Sequence, residues 1–257
     1  MGILNVTPDS FSDGGLYTDV ERAVAHAKAM VQQGASLIDV GAESTRPGSD
    51  AVSAEAQIER AVPVITRLVQ ALSVPVSIDT SDVVVARAAI LAGASVVNDI
   101  TALTRHGMAD LVAEFGVPVV LMHMQGVPFM MQSDPTYGDV VAEVLDFLVQ
   151  RANKAQQAGV AQADIWIDPG IGFGKTLTHN LTLLREIEQF VATGYPVLVG
   201  TSRKRFIADL TGKVDARDRV FGTTATVAHC VAKGVGCVRV HDVGPVADTI
   251  KIIQAIN

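Results

Sequence analysis

Cysteine is scarce in the sequence, and long hydrophobic runs are missing. Cys230 and Cys237 are the two cysteines, too few for a disulfide framework or a cysteine-based zinc site. No apolar run approaches the roughly 18 residues that a membrane span needs, and no signal peptide precedes the first predicted strand. The sequence therefore indicates a cytoplasmic protein, in a reducing compartment, that does not enter a membrane.

Basic residues and aromatic residues are also few. The chain has 20 Lys and Arg against 27 Asp and Glu, which gives a formal net charge of −7. A nucleic-acid surface needs a broad basic footprint, so this balance argues against nucleic acid as a partner and leaves room only for a small cationic pocket. Apolar residues make up 49% of the chain and aromatics 5%, which predicts an aliphatic core of parallel strands and covering helices.

Strand and helix patterns alternate along the whole chain. The predicted strands are 1–6, 36–41, 74–80, 95–100, 117–124, 165–168, 195–202 and 236–243. Apolar residues at helical spacing separate them, and Asp19 is the predicted cap of the first helix. Eight such units in 257 residues favour a single-domain (β/α)8 TIM barrel, spanning 1–257, over a doubly wound open sheet. The first strand starts with the chain, so we expect a natural amino-terminal segment before it.

The segment 164–176, DIWIDPGIGFGKT, has the features of a built site. A short apolar strand ends at Asp168, and Pro169 and three glycines then form a loop that a flat ligand could approach closely. Gly174, Lys175 and Thr176 resemble the end of a Walker loop, but that motif needs a glycine where Pro169 stands. The sequence therefore argues against a nucleoside triphosphatase.

Hydrogen-bonding side chains collect at the ends of the predicted strands. They are Asn5, Asp39, Asp79, Asn98, His123, Asp168, Ser202, Arg239 and His241. Any one of them could be a cap or turn residue, but barrel chemistry lies at the carboxyl ends of strands, and together they predict an active site there. Asp39 is expected to orient its neighbours and Lys175 to pair with a loop or helix carbonyl. For His123 a structural role and a ligand contact stay open.

The types of these groups divide the predicted site into two zones. Asp79, Asn98 and Asp168 offer the acceptors and the amide that suit a flat heterocycle with an amino-pyrimidinone edge. Lys204, Arg239 and His241, with Asn5 beside them if the barrel closes, are typical of a phosphate-sized anion site. No nucleophile is paired with a base among them.

Eight short motifs match a known family in order. They are NVTPDSFSDGG (5–15), ESTRPG (43–48), SIDT (77–80), NDI (98–100), MHMQG (122–126), DPGIGFGK (168–175), SRK (202–204) and RVHD (239–242). Each fragment is weak alone, but every one falls at a predicted strand end. Over essentially its whole length the chain resembles the dihydropteroate synthases, enzymes of the folate pathway.

The resemblance implies a reaction and a set of site residues. The reaction joins 6-hydroxymethyl-7,8-dihydropterin diphosphate to 4-aminobenzoate and releases diphosphate, by an SN1-like route. The implied pterin residues are Asp79, Asn98, Met122, Asp168, Phe173 and Lys204. The implied diphosphate residues are Asn5, Arg239 and His241, and the implied aminobenzoate residues are Phe11, Thr45, Arg46, Pro47 and Ser202. Asp79, Asp168, Lys204, Arg239 and His241 would carry catalysis.

The resemblance also implies a cofactor, inhibitors and an assembly. Mg²⁺ would bind the diphosphate with Asn5 as a direct ligand, and Asp9 or Asp13 would either join it or only cap turns. Sulfonamides are expected inhibitors, and a homodimer is expected through the later helices. Two alternatives remain: a methyltransferase that uses methyltetrahydrofolate, and a catalytically silent pterin-binding subunit. The methyltransferase has no need of the STRPG loop or of the SRK and RVHD anion site. Loss of Asn5, Arg239 or Lys204 would support the silent subunit, and none of them is lost.

Overall fold

The computed structural model describes residues 1–7, 15–43 and 52–256, in which parallel strands alternate with helices. The strands are β1 Gly2–Asn5, β2 Ile38–Gly41, β3 Val76–Asp79, β4 Val96–Asp99, β5 Val119–Met122, β6 Ile165–Asp168, β7 Leu198–Val199 and β8 Cys237–Val238. The helices are α1 Gly15–Gln32, α2 Ala54–Ala71, α3 Val83–Leu91, α4 Met108–Phe115, α5 Val140–Gln157, α6 Leu177–Arg185, α7 Ile187–Val191, α8 Arg205–Thr211, α9 Val220–Ala232 and α10 Val243–Ile256.

The strands form a closed ring of parallel backbone contacts. β1 to β6 pair in sequence order, and β7 pairs with β8. A bridge between Ile167 and Val197 joins β6 to β7, and a bridge between Gly2 and Val240 joins β8 back to β1. At that seam Ile3 N donates to Val240 O at 2.9 Å. The predicted α/β barrel fold is thus confirmed.

Alternation along the strands separates an apolar floor from a polar mouth. Successive strand residues face opposite sides, so Trp166 and Asp168 share the inner face of β6. Trp166 packs at the floor with Met1, Val120 and Leu198, in a cluster apart from the main core between strands and helices. Asp168, two residues further on, therefore lies at the carboxyl end of the barrel.

The register places the predicted site residues at one level. Asn5 pairs with Gly41, Gly41 with Asp79, and Asp79 with Asn98. Across the barrel, Met122 pairs with Asp168. Because these residues lie at or next to the carboxyl ends of parallel strands, Asn5, Asp79, Asn98, Met122 and Asp168 are at the same mouth, where barrel enzymes carry their chemistry.

Local capping explains where several helices begin. Asp82 Oδ1 accepts from Val84 N at 2.8 Å and starts α3, and Asp139 caps α5 in the same way. Thr176 and His179 exchange hydrogen bonds in a capping box at the start of α6. Asp19 is not a cap, as α1 already begins at Gly15. The prediction for Asp19 was wrong because the helix extends further toward the amino terminus than its apolar stripe indicates.

The last two strands are much shorter than the sequence predicts. Arg239 N still donates to Val199 O at 3.0 Å, but β8 ends at Val238 and Val243 begins α10. The predicted strand extends to residue 243 because the apolar run continues from β8 to the buried face of α10, where Val243 and Val246 lie. Arg239 and His241 therefore lie in the loop after β8. Among the helices of the described chain, none is long and apolar enough to cross a membrane.

Candidate active site

Arg239 lies between two carboxylates at the barrel mouth. Its Nε donates to Asp39 Oδ2 at 2.6 Å, and its Nη2 donates to Asp79 Oδ2 at 2.7 Å. Such charge-assisted hydrogen bonds are stronger than neutral ones, and the guanidinium plane suits two partners at once. The arginine predicted for the anion zone thus reaches into the heterocycle zone.

Asp39 is the fully buried centre of this network. Its Oδ2 also accepts from Asn98 Nδ2 at 3.1 Å, and its Oδ1 accepts from the Ser77 hydroxyl. Asp39 is 0% exposed, so every polar contact it has comes from protein groups that it holds in place. This geometry supports the expectation that Asp39 orients its neighbours and does not meet the ligand.

Burial and nearby charges shift the protonation of Asp79 and Arg239. Burial raises the pKa of Asp79 to about 7, opposed by Arg239 and reinforced by Asp39. Burial alone would lower the pKa of Arg239, but Asp39 and Asp79 raise it above its usual value. Arg239 is therefore a permanent cation, and its charge favours the ionised form of Asp79 against the effect of burial.

The loop after β6, residues 169–175, packs directly against the end of β5. Asp168 Oδ1 accepts from Gly170 N at 2.7 Å, which folds the loop back over the strand. A Cβ on Gly170 would lie 1.9 Å from His123 O, so only glycine fits at its φ of 67°. The sequence signal, three glycines after Asp168, thus reflects a close backbone approach.

Lys204 joins the same corner of the site. Its Nζ donates to Ile171 O and lies 4.4 Å from the centre of the Phe173 ring. Burial lowers the pKa of Lys204 to about 8, although Asp168 raises it. Burial raises the pKa of Asp168, and Lys204 is the largest influence that lowers it. The structure therefore brings a carboxylate, a cation and an aromatic face together, as the sequence predicts.

Ser202 and His241 also meet. Ser202 Oγ lies 3.0 Å from His241 Nδ1 and accepts from His241 N at 3.1 Å. Between Ser202 and Lys204, Arg203 has a left-handed φ of 60°, and its Nε donates to Asp242 Oδ2 at 2.9 Å. This ion pair links the loops after β7 and β8, so the two loops are held in one arrangement.

The remaining predicted residues divide into described and undescribed ones. Met122 is buried at the end of β5, and Asn5 ends β1, where a Cβ on Gly41 would lie 3.4 Å from Asn5 Oδ1 and 3.7 Å from Asp79 Oδ2. His123 is buried, and its Nδ1 lies 2.9 Å from Lys175 Nζ, so its position favours the structural role. Outside the described residues lie Asp9, Phe11, Asp13, Thr45, Arg46 and Pro47.

Sequence reasoning missed two buried residues beside the site. Ser77 donates to Asp39 from β3, and Gln57, on α2, donates to Glu43 Oε2 at 3.3 Å and to Val52 O at 3.0 Å. Gln57 thus links Glu43 to Val52. Ser77 stands two residues before Asp79 and so on the same strand face, a signal that could have identified it. Nothing in the local sequence distinguishes Gln57.

Comparisons with known proteins agree with this arrangement. The family model for "Pterin binding enzyme" matches residues 1–241. A dihydropteroate synthase of Synechocystis sp. is 45% identical over 257 residues, covering 100% of this chain and 89% of the relative. The chain belongs to the dihydropteroate synthase family. The resemblance in the eight motifs is confirmed.

Solved structures of the family are similar over the whole chain. The dihydropteroate synthase of Xanthomonas albilineans with 4-aminobenzoic acid has a TM-score of 0.94 and 48% identity, covering 100% of this chain and 92% of that one. The Yersinia pestis dihydropteroate synthase with a sulfonamide drug also has a TM-score of 0.94, with 41% identity and coverage of 100% and 93%. This family member therefore shares its fold with structures that hold such ligands.

Proposed function

We propose that the protein is the transferase that joins 6-hydroxymethyl-7,8-dihydropterin diphosphate to 4-aminobenzoate, giving 7,8-dihydropteroate and diphosphate. The observation that carries the proposal is one cluster at the barrel mouth. It brings the acids Asp79 and Asp168 and the amide of Asn98 together with the cations Lys204 and Arg239. The cluster suits a heterocycle that bears a charged leaving group, and family membership supports the same activity.

The acidic side of the cluster is proposed to bind the pterin. Asp168 and Asp79 accept hydrogen bonds from the ring and its amino group, and Asn98 both donates and accepts. Met122 and Phe173 supply apolar walls. The rigid contacts around these residues, such as Asp39 to Asn98 at 3.1 Å, fix the pocket before the ligand arrives, which lowers the entropy cost of binding.

The cationic side is proposed to assist departure of the diphosphate. When the bond between the methylene carbon and the diphosphate oxygen breaks, negative charge grows on the leaving group and positive charge spreads over the pterin ring. Arg239 and His241 stabilise the first, and ionised Asp79 and Asp168 stabilise the second. The amino nitrogen of 4-aminobenzoate then forms the new bond to that carbon and loses a proton, so no enzyme nucleophile is required.

The described residues fit a magnesium ion that is bound mainly through substrate. No group of three His, Cys, Asp or Glu in the described part of the chain is arranged to hold a metal. Mg²⁺ prefers oxygen ligands and is often held by one or two protein groups together with phosphates. Asn5, whose side-chain oxygen lies close to Gly41 at the mouth, is the proposed direct ligand. When bound, the ion would neutralise charge on the diphosphate.

The aminobenzoate site and the inhibitors are proposed from the family motifs. Ser202, at the mouth beside His241, would face 4-aminobenzoate together with Phe11, Thr45, Arg46 and Pro47. A sulfonamide has a similar ring and a polar group at each end, so it would occupy the same position. Ligands of both kinds are present in the related structures.

A cytoplasmic homodimer is the proposed state of the protein. Three large apolar side chains are exposed on and between α8 and α9: Leu210 at 57%, Val214 at 88% and Phe221 at 82%. Burial against a second copy would remove them from water, as a homodimer interface does. Free Cys230 and Cys237 suit the reducing cytoplasm. Sedimentation of wild type and of the variant Phe221→Asp measures the assembly, and a monomeric wild type would contradict it.

The activity is tested by one coupled assay. Diphosphate release is measured with the pterin diphosphate, Mg²⁺ and 4-aminobenzoate, and again with a sulfonamide added or 4-aminobenzoate left out. We expect release that depends on both substrates and falls with the sulfonamide. No release from folded protein would favour the silent subunit. Methyl transfer from methyltetrahydrofolate to a corrinoid protein would instead support the methyltransferase.

A further inference from the structure

Lys175 ends the loop that follows β6, and its side chain is buried. It is 3% exposed, and its Nζ has three partners: His123 Nδ1 at 2.9 Å, Phe173 O at 2.9 Å and His123 O at 3.3 Å. An ammonium group has three N–H donors, so these contacts use all of them. Burial of a charged lysine costs free energy unless the ammonium group is hydrogen-bonded in this way, so the buried position points to a specific function.

The three contacts connect two separate parts of the mouth. His123 follows β5, and Phe173 belongs to the loop after β6. The backbones of these two loops already touch, because a Cβ on Gly174 would lie 2.4 Å from Gln125 O. Glycine allows this approach but provides no side chain to hold it. The Lys175 side chain supplies this link, because it binds both His123 and Phe173.

The loop that Lys175 holds carries several groups of the pterin site. Phe173 lies against Lys204, and Ile171 O accepts from Lys204 Nζ. At the start of the loop, Gly170 N donates to Asp168 Oδ1 at 2.7 Å. Asn180 supports the loop from α6, where its Oδ1 accepts from Gly172 N at 2.6 Å. A shift of the loop would therefore move an aromatic wall and change the partners of both Asp168 and Lys204.

Charge in this pocket defines the state of His123. Burial and the neighbouring Lys175 lower the pKa of His123 to about 3, so the imidazole is neutral. Its Nδ1 can then accept from the Lys175 ammonium, which leaves the proton on Nε2. Burial lowers the pKa of Lys175 to about 7, opposed by Asp168 and reinforced by Lys204. Asp168, Lys204 and His123 are thus the titratable groups that face it.

We infer that Lys175 is a positioning residue for pterin binding, because it fastens the glycine loop to the end of β5 and so fixes Phe173, Asp168 and Lys204. The inference rests on the proposed function for the identity of the ligand. It assigns Lys175 no contact with substrate. It also gives a reason for the Gly-Lys-Thr sequence that resembles a Walker loop: the lysine points into the protein and binds carbonyls, whereas a Walker lysine binds phosphate.

The variant Lys175→Met tests this directly, because it keeps the length of the side chain and removes its charge and donors. Lys251→Met, whose side chain is 72% exposed, is the matched control. Calorimetry with a pterin that lacks phosphates should show Kd raised at least about tenfold in the first variant and unchanged in the second. KM for the pterin diphosphate should rise similarly, while KM for 4-aminobenzoate stays within about twofold. Lys175→Gln, which retains two donors, should recover part of the affinity.

A measurement on the wild type keeps the inference falsifiable if Lys175→Met does not fold. Nitrogen NMR of the histidine rings should show His123 neutral, protonated on Nε2, and not titrating near the usual pKa of about 6.5. A His123 ring that titrates normally would overturn the inference. So would a folded Lys175→Met that binds the pterin as wild type does. Failure of wild type to release diphosphate would refute the proposed function instead, since pterin binding is measured independently.

Discussion

Arg239 Nη2 donates to Asp79 Oδ2 at 2.7 Å, so the cation of the anion zone is fastened to a carboxylate of the heterocycle zone. Arg239 also binds Asp39, which in turn binds Asn98. Negative charge on the leaving group and positive charge on the ring would thus both interact with the same hydrogen-bonded network of side chains. This coupling changes what a substitution in either zone should do.

Arg239→Ala should weaken binding of both a pterin and its diphosphate, and the diphosphate more. The variant removes a cation from the anion zone, and it also takes away the partner that lowers the pKa of Asp79. A hydrogen bond to a charged group contributes about 1.5–3 kcal/mol, so affinity for the diphosphate should fall roughly tenfold to a hundredfold. Calorimetry on both ligands measures this, with the exposed Arg217→Ala as control. Equal losses for the two ligands would show that Arg239 acts only structurally.

Asp39→Asn should destabilise the fold as well as the site. The residue is fully buried, and the substitution removes one partner of a buried ion pair, which typically costs about 3–5 kcal/mol. We expect the unfolding free energy, measured with denaturant, to fall by about 3 kcal/mol. This is the lower end of the range, because Asp79 still binds Arg239. Asp248→Asn, on a side chain that is 79% exposed, should change stability by less than about 0.5 kcal/mol. A similar small effect for both would remove Asp39 from the centre of the network.

Asp168→Asn should reduce catalysis without unfolding the protein. The variant keeps the size of the side chain but exchanges a charged acceptor for a donor that faces the N–H groups of the pterin. We expect kcat/KM to fall roughly tenfold to a hundredfold or more. Steady-state kinetics together with a thermal melt separate the two effects. Kinetics like those of wild type in a folded variant would place Asp168 outside the site.

Gly174→Ala and Gly116→Ala form a matched pair for the loop contact. Both glycines have a φ of 61°, but a Cβ on Gly174 would lie 2.4 Å from Gln125 O, whereas a Cβ on Gly116 meets nothing within 4 Å. The left-handed conformation alone costs about 1–2 kcal/mol, which is the expected loss for Gly116→Ala. Gly174→Ala must also displace backbone and should cost at least about 3 kcal/mol. Equal losses of unfolding free energy in the two variants, measured by chemical denaturation, would show that the loop can shift at no cost.

The stability of the protein should carry a pH signature of Lys175. Burial lowers its pKa from 10.5 to about 7, so between these values the unfolded chain binds more protons than the folded one. Folding is therefore favoured as pH rises through this window, by at most roughly 1.4 kcal/mol per pH unit from this residue. Lys175→Met lacks the contribution. The unfolding free energy of wild type minus that of the variant should increase from pH 7 to 9.5, and a constant difference would contradict the shifted pKa.

Periodicity predicted the eight strands and the level at which the polar side chains gather, but not the division into α6 and α7 after β6 or the pair α8 and α9 after β7. Asp79, Asn98 and Asp168 lie where the sequence puts them, because a strand that is apolar up to its last residue can end polar only at the mouth. The boundaries of β7 and β8 could not be predicted in this way. Their apolar runs continue into loops and a helix, and hydrophobicity does not record where the backbone turns.

The fold, the family and the candidate groups for the mouth follow from local pattern and motif in the sequence. How the described groups pair depends on contacts between distant parts of the chain. Arg239 and Asp39 are 200 residues apart, and Lys175 and His123 are 52 apart. Such contacts depend on closure of the barrel and on the close approach of two loops. A charged side chain pairs with whichever oppositely charged group the fold brings close to it. The residues next to it in the sequence therefore do not reveal the pairing.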